Sequence, residues 1–199
     1  MKFVAIAAAA TAVALFTGSA FAADLYVPPA AAPAAAPVTS SWDGPYIGAS
    51  VGYGWQSLAD GGPTTGNGWS VGAQLGYYAH LSDQIVGGVE GNIDWVNYAG
   101  GTTPSYSVNW DGSLRARLGV DMGQWLPYVE AGVAFANVTD STATTSPEVR
   151  TGWTAGAGVE VMLADHLSGN IEYRYTDYGA GTGSGFTDNS IRVGLNYHF

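Results

Sequence analysis

The last stretch of the chain alternates without a break. Ile191, Val193, Leu195, Tyr197 and Phe199 are large and apolar, while Arg192, Gly194, Asn196 and His198 between them are polar or small. A period of two puts these sets on opposite faces of a β-strand. The same alternation recurs from Trp42 onward in eight segments, at 45–56, 68–80, 84–96, 107–120, 125–137, 150–163, 167–176 and 189–199. Each is long enough for a tilted strand of about 9–11 residues to cross a bilayer. The connections at 80–84, 121–124 and 164–166 are short, whereas 57–67, 97–106, 138–149 and 177–188 are long and rich in Gly, Thr, Ser and Pro. Short turns at one end and long loops at the other predict an all-β fold, an eight-stranded antiparallel up-and-down transmembrane β-barrel. Both of its termini would lie on the short-turn, periplasmic side.

Parity assigns the two faces. One carries Ile47, Val51, Tyr53, Val71, Leu75, Tyr77, Ile85, Val89, Ile93, Val108, Leu114, Leu118, Val129, Val133, Phe135, Val159, Val161, Ile171 and Tyr173, with no charge among them. The other carries Glu90, Asp94, Asp111, Arg115, Arg117, Glu130, Glu160, Glu172, Arg174 and Arg192. An arginine turned to lipid at the midplane costs ~2–4 kcal/mol, so the charged face is the lumen. Buried charges need partners. Neighbouring strands suggest an ion-pair network in which Arg115 and Arg117 meet Glu90, Asp94 and Glu130, and Arg174 meets Glu160 and Glu172. Inward glycines (Gly48, Gly52, Gly54, Gly72, Gly76, Gly152, Gly156 and Gly158) leave room for the long arginines. Eight strands enclose an interior that side chains fill, so a plugged lumen is expected. In a narrow, gated path, the surplus of acids over arginines would favour cations weakly.

Aromatic placement fits the same topology. Trp55, Trp69, Trp95, Trp110 and Trp153 fall near strand ends beside the long loops; Trp42, Trp125, Tyr197 and Phe199 fall at the other rim. Two aromatic bands flanking an apolar belt are the interfacial girdles of a membrane barrel. A soluble eight-stranded ligand carrier would turn these side chains inward.

Composition adds the compartment. Lys2, the apolar run 3–16 and the small residues ending at Ala22 read as a secretory signal over 1–22, with cleavage before Ala23. Residues 23–41 form an Ala/Pro-rich periplasmic lead-in, since prolines cannot donate to a ladder; contact with the cell wall is its functional alternative. The barrel then occupies 42–199. With no cysteine, the exported chain has neither a disulfide framework nor a lipid-acceptor thiol. The formal net charge is −10, and Lys2 is the sole lysine, which leaves no footprint for nucleic acid.

Several segments together resemble the small outer-membrane barrel proteins of alphaproteobacteria, relatives of the OmpA-, OmpX- and OmpW-type barrels. They are the entry strand Trp42-Asp-Gly-Pro-Tyr-Ile-Gly-Ala-Ser-Val-Gly-Tyr-Gly-Trp55, then Val86-Gly-Gly-Val-Glu-Gly-Asn-Ile-Asp-Trp95, Ser113-Leu-Arg-Ala-Arg-Leu-Gly119, Gly152-Trp-Thr-Ala-Gly-Ala-Gly-Val-Glu160, Ile171-Glu-Tyr-Arg-Tyr-Thr-Asp-Tyr-Gly179 and the terminal strand. The resemblance covers essentially the whole chain after the signal. It implies an eight-stranded barrel in the outer membrane, the loose label porin and no catalytic residues. It also implies that Tyr197 and Phe199 signal to the barrel-assembly machinery. His198 stands where relatives often carry a basic residue.

Nothing else in the sequence points to an enzyme, a metal or a cofactor. His80, His166 and His198 map to the periplasmic rim and read as turn-surface histidines, with a periplasmic metal site from the three as the alternative, whereas outer-membrane lipid acyltransferases and proteases keep their chemistry near the outer surface. Gly152, Gly156 and Gly158 have no helix after them to receive a phosphate. The Asn137-Val-Thr139 sequon means little on such a protein. The long loops carry Asp60, Asp140, Glu148, Asp177 and Asp188 without a lysine. They would suit an adhesive, antigenic or ligand-binding surface, with haem as the family-level suggestion. The function expected is a structural, surface-exposed barrel, with outer-membrane lipid as its surroundings.

Overall fold

A computed structural model describes residues 42–58, 64–99, 106–140, 148–179 and 185–199. They form β1 (Gly44–Leu58), β2 (Thr64–His80), β3 (Ile85–Ala99), β4 (Tyr106–Val120), β5 (Trp125–Asp140), β6 (Glu148–Ala164), β7 (Leu167–Asp177) and β8 (Phe186–His198). Each strand pairs antiparallel with the next, and β8 pairs back on β1 from Tyr46↔His198 to Leu58↔Phe186, which closes the barrel. Closure satisfies backbone groups that lipid cannot. Among the described residues no helix is long and apolar enough to cross a membrane. The expected signal and lead-in lie outside the described residues.

The strands run further than the alternation indicates. β2 begins at Thr64, β3 reaches Ala99, β5 reaches Asp140 and β6 begins at Glu148. Antiparallel neighbours go on exchanging backbone hydrogen bonds after the apolar period fades, as at Asn67↔Ala99 and Asn137↔Val149. The long connections shrink accordingly, to 59–63, 100–105, 141–147 and 178–185. Within β4 the register shifts between Val108 and Trp110. Parity therefore cannot be counted through that point, and the Val108 side chain lies outside the described residues.

Outward side chains form a continuous apolar belt. Ile47, Val51, Val71, Leu75, Val89, Ile93, Leu118, Val129, Ile171 and Val193 are each about half exposed or more. Water-soluble proteins rarely leave so extensive an apolar surface bare. Trp69, Trp95 and Trp153 project from it towards the loop end, where Trp95 stands opposite Trp110 and Trp55 opposite Asn67. Trp125 and Tyr197 project at the turn end. The opposite face fills the barrel with polar and charged side chains.

Candidate functional site: paired charges in the lumen

Arg117 is the hub of the lumen. It projects inward from β4 between β3, where Gly88 stands opposite, and β5, where Glu130 does. Its Nε donates to Glu130 Oε2 at 2.8 Å, and its Nη2 to Glu90 Oε1 at 2.8 Å and Glu172 Oε2 at 2.9 Å. Nη1 donates to the Tyr78 hydroxyl at 3.0 Å and lies 3.9 Å from Glu160. The guanidinium also sits 4.4 Å from the centre of the Tyr128 ring, a cation–π contact. One arginine thus gathers carboxylates from four strands.

Its neighbours complete the network. Arg115 pairs with Glu90, directly opposite on β3, and its Nε lies 3.0 Å from Glu130 Oε1. Arg174 reaches Glu172 at 2.6 Å and Glu130 at 3.5 Å. The carboxylates of Glu90, Glu130 and Glu172 approach one another within 4.8 Å, close enough to share a cation. Three guanidiniums take that place. Nearer the loop end Arg192 pairs with Asp94 and donates to Ser50 Oγ at 2.8 Å. Asp111, opposite Asp94 on β4, lines with Arg174, Arg192, Tyr178 and Asp188 a cavity of about 10 Å³. That is room for about one water.

Towards the turns the filling changes character. Trp42, Tyr46, Tyr78, Val86, Leu126 and Met162 form a small buried apolar cluster. Tyr46 and Tyr78 stack with ring centres 4.9 Å apart, and Tyr46 donates to Glu90 Oε2 at 2.7 Å. Both rings also face His198, and Trp42 meets it edge-on at 5.9 Å. Glu160 is held by Tyr78 at 3.0 Å, by Asn196 at 2.7 Å and by Ser168. Two inward glycines make the tyrosines possible. A Cβ at Gly158 would lie 2.6 Å from both the Tyr128 hydroxyl and the Ile171 carbonyl, and the Tyr46 ring lies directly against Gly76.

All ten charged residues expected in the lumen face it, but several partners differ from the pairing read off adjacent strands. Asp94 takes Arg192 of β8, across the lumen, instead of Arg115 or Arg117. Arg174 takes Glu172 and Glu130, while Glu160 binds Ser168, Asn196 and Tyr78. Trp42, expected in the aromatic band at the turn-side rim, is instead fully buried inside the mouth. His198 is likewise a buried lumen residue; it lies on the same inward row as Arg192, Gly194 and Asn196. The inward tyrosines Tyr46, Tyr78 and Tyr128 were missed. Parity alone would have found them, since Tyr46 shares its face with Gly48 and Tyr128 with Glu130.

This arrangement agrees with what the chain is similar to. Residues 8–199 match the family described as outer membrane protein beta-barrel domain. The chain is 38% identical over 191 residues to the 25 kDa outer-membrane immunogenic protein of Brucella ovis, with 92% of each covered. It is 35% identical over 173 residues to the 22 kDa outer membrane protein of Rhizobium leguminosarum bv. viciae, covering 80% of this chain and 79% of that one. Among solved structures, Neisserial surface protein A has the same fold, with a TM-score of 0.59 at 16% identity over 78% of this chain and 97% of that one. A closed barrel with an apolar exterior and a polar interior, matched over nearly its whole length, places the chain in the outer membrane protein beta-barrel domain family, as an outer-membrane protein.

Proposed function

We propose that the protein is a structural, surface-exposed barrel whose lumen is closed by its own side chains. The observation that carries this reading is the arginine–glutamate cluster around Arg117, which ties β3, β4, β5 and β7 together across the middle of the barrel. An eight-stranded interior has only enough width for such side chains. Refolded protein in planar bilayers should therefore give no large, stable conductance, and liposomes should show no swelling with sugar-sized solutes. Steady openings of general-porin size would overturn the reading. Small, cation-preferring currents would favour the narrow channel instead. The long loops expected to carry an adhesive or haem-binding surface fall largely outside the described residues.

The lumen also holds a serine, a histidine and a carboxylate in contact, yet their connectivity supports a non-enzymatic role. Ser168 Oγ lies 2.9 Å from His198 Nε2 and donates to Glu160, whose Oε1 is 3.4 Å from the same nitrogen. In a catalytic triad the acid holds the imidazole nitrogen opposite the serine. Here serine and acid share one nitrogen, Nδ1 has no hydrogen-bond partner among the described residues, and all three side chains are buried.

Insertion is proposed to depend on the barrel-assembly machinery reading the terminal strand. Tyr197 and Phe199 both project outward, edge to face at 5.2 Å, and the Phe199 amide still donates to Pro45 O at 3.1 Å. Phe199→Ala keeps that backbone bond and removes the ring. It should lower the yield of heat-modifiable barrel in cells while leaving refolding in detergent unchanged; equal yields in cells would remove the signal role.

A further inference from the structure

Five groups at the turn end close on one another in a ring. The Trp42 indole N–H donates to Gly123 O at 3.0 Å, and the Gly123 amide donates to Asp121 Oδ1 at 2.7 Å. Asp121 Oδ2 meets His80 Nε2 at 3.0 Å. His80 Nδ1 meets Asp43 Oδ1 at 2.9 Å, and the His80 backbone N–H donates to the same oxygen at 2.7 Å. Asp43 follows Trp42 in the chain, so the two residues ahead of β1 are tied to the end of β2 and to the β4–β5 turn. Gly44 at φ 119° and Gly123 at φ 76° adopt backbone conformations that side chains disfavour. The first sits where the chain turns from the mouth into β1, and the second presents the carbonyl that Trp42 binds. Trp42 itself, over His198, has no exposed surface.

We propose that Trp42 and Asp43 form a strap, hinged at Gly44, that shuts the turn-side mouth of the lumen, and that His80 between Asp43 and Asp121 is its pH-sensitive latch. This rests on the closed lumen of the preceding reading and adds a means of opening one end of it. His80 is the last residue of β2, at the turn-end rim, with its side chain partly exposed. A protonated imidazole donates from both nitrogens and satisfies both carboxylates; a neutral one has a single N–H and leaves one carboxylate without its donor. The hydrogen bonds to Asp43 and Asp121 raise the His80 pKa, and the bond to His80 lowers that of Asp43. For His80 the stabilisation is present at low pH and lost as pH rises through its raised pKa; for Asp43 it is present at high pH and lost as pH falls through its lowered one. The latch is tightest between the two. Other titratable groups at this end are Asp83 in the β2–β3 turn, Asp165 and His166 in the β6–β7 turn, the terminal carboxylate of Phe199 beside Gly44, and His198 with Glu160 beneath Trp42.

Hydrogen exchange of the Trp42 indole N–H tests this in the refolded full chain in detergent micelles. The resonance is assigned by its loss in Trp42→Phe, and its exchange is referenced to N-acetyltryptophanamide added to the same sample, so that base catalysis cancels. Protection relative to the free indole should fall by about tenfold from about pH 6 to about pH 9, the scale of one charge-assisted hydrogen bond lost from a local opening. In His80→Gln the protection should be lower by a similar factor at about pH 6 and flat with pH. Heat-modifiable mobility on gels checks that each variant is folded. An indole as labile as the free reference throughout means there is no closed strap, and protection that is equal and flat in both proteins means His80 is no latch. Neither outcome depends on conductance, so the strap and the closed lumen fail separately.

Discussion

Arg117→Ala is expected to destabilise the refolded barrel by about 3–5 kcal/mol, the range for breaking a buried ion pair from one side. The loss is large because the four acids around the guanidinium stay behind. Glu130 and Glu90 keep Arg115, and Glu172 keeps Arg174, but the bridge among the three disappears and the hydroxyls of Tyr46 and Tyr78 lose their shared donor. Arg117→Lys should recover part of the stability. An ammonium supplies charge at one point, whereas the fork reaches Glu130 with Nε and Glu90 and Glu172 with Nη2. Asp83→Ala in the exposed first turn is the control, expected within about 0.5 kcal/mol of wild type. Chemical unfolding in vesicles, followed by gel mobility and tryptophan fluorescence, measures all three. If Arg117→Ala loses no more than Asp83→Ala, the cluster does not hold the barrel together.

That cluster shows how far the sequence could be read. Alternation along single strands assigned the face of the ten charges placed in the lumen, because parity is a local property of β-structure; Asp188, read as part of a long loop, lines the lumen cavity as well. The strand number followed from the same pattern together with the short turns. Partnership is not local. Strands in a barrel are tilted and staggered, so a residue's height and its neighbour across the lumen depend on the closed register. Asp94 of β3 consequently meets Arg192 of β8, far away in sequence, while adjacent-strand reading offered Arg115 and Arg117. Trp42 was misread for a different reason. An aromatic near a rim suggests a girdle, and nothing in its neighbours' periodicity announces the left-handed Gly44 that turns the chain there. His198 was legible all along, since the alternation of the last strand already set it on the face of Arg192 and Asn196. Strand ends were underestimated because backbone pairing does not need the apolar period to continue.

Leu75→Arg should cost up to ~2–4 kcal/mol in a bilayer, the penalty for an arginine facing lipid within the apolar belt. The comparison that isolates lipid is Met122→Arg in the β4–β5 turn. Leu75 is 65% exposed and Met122 63%, so contacts within the protein give no reason for the two substitutions to differ. They differ in what lies outside. Leu75 is in the interior of β2, opposite Ile47 on β1 and Gly91 on β3, within the apolar belt, whereas Met122 is beyond the strands at the turn end. An arginine at Met122 reaches water and headgroups, and its cost should stay within about 1 kcal/mol. Unfolding and refolding in phospholipid vesicles gives both values on one scale. Equal costs would mean that the face carrying Leu75 does not meet hydrocarbon, which would unseat the inside-out polarity on which the reading of the lumen rests.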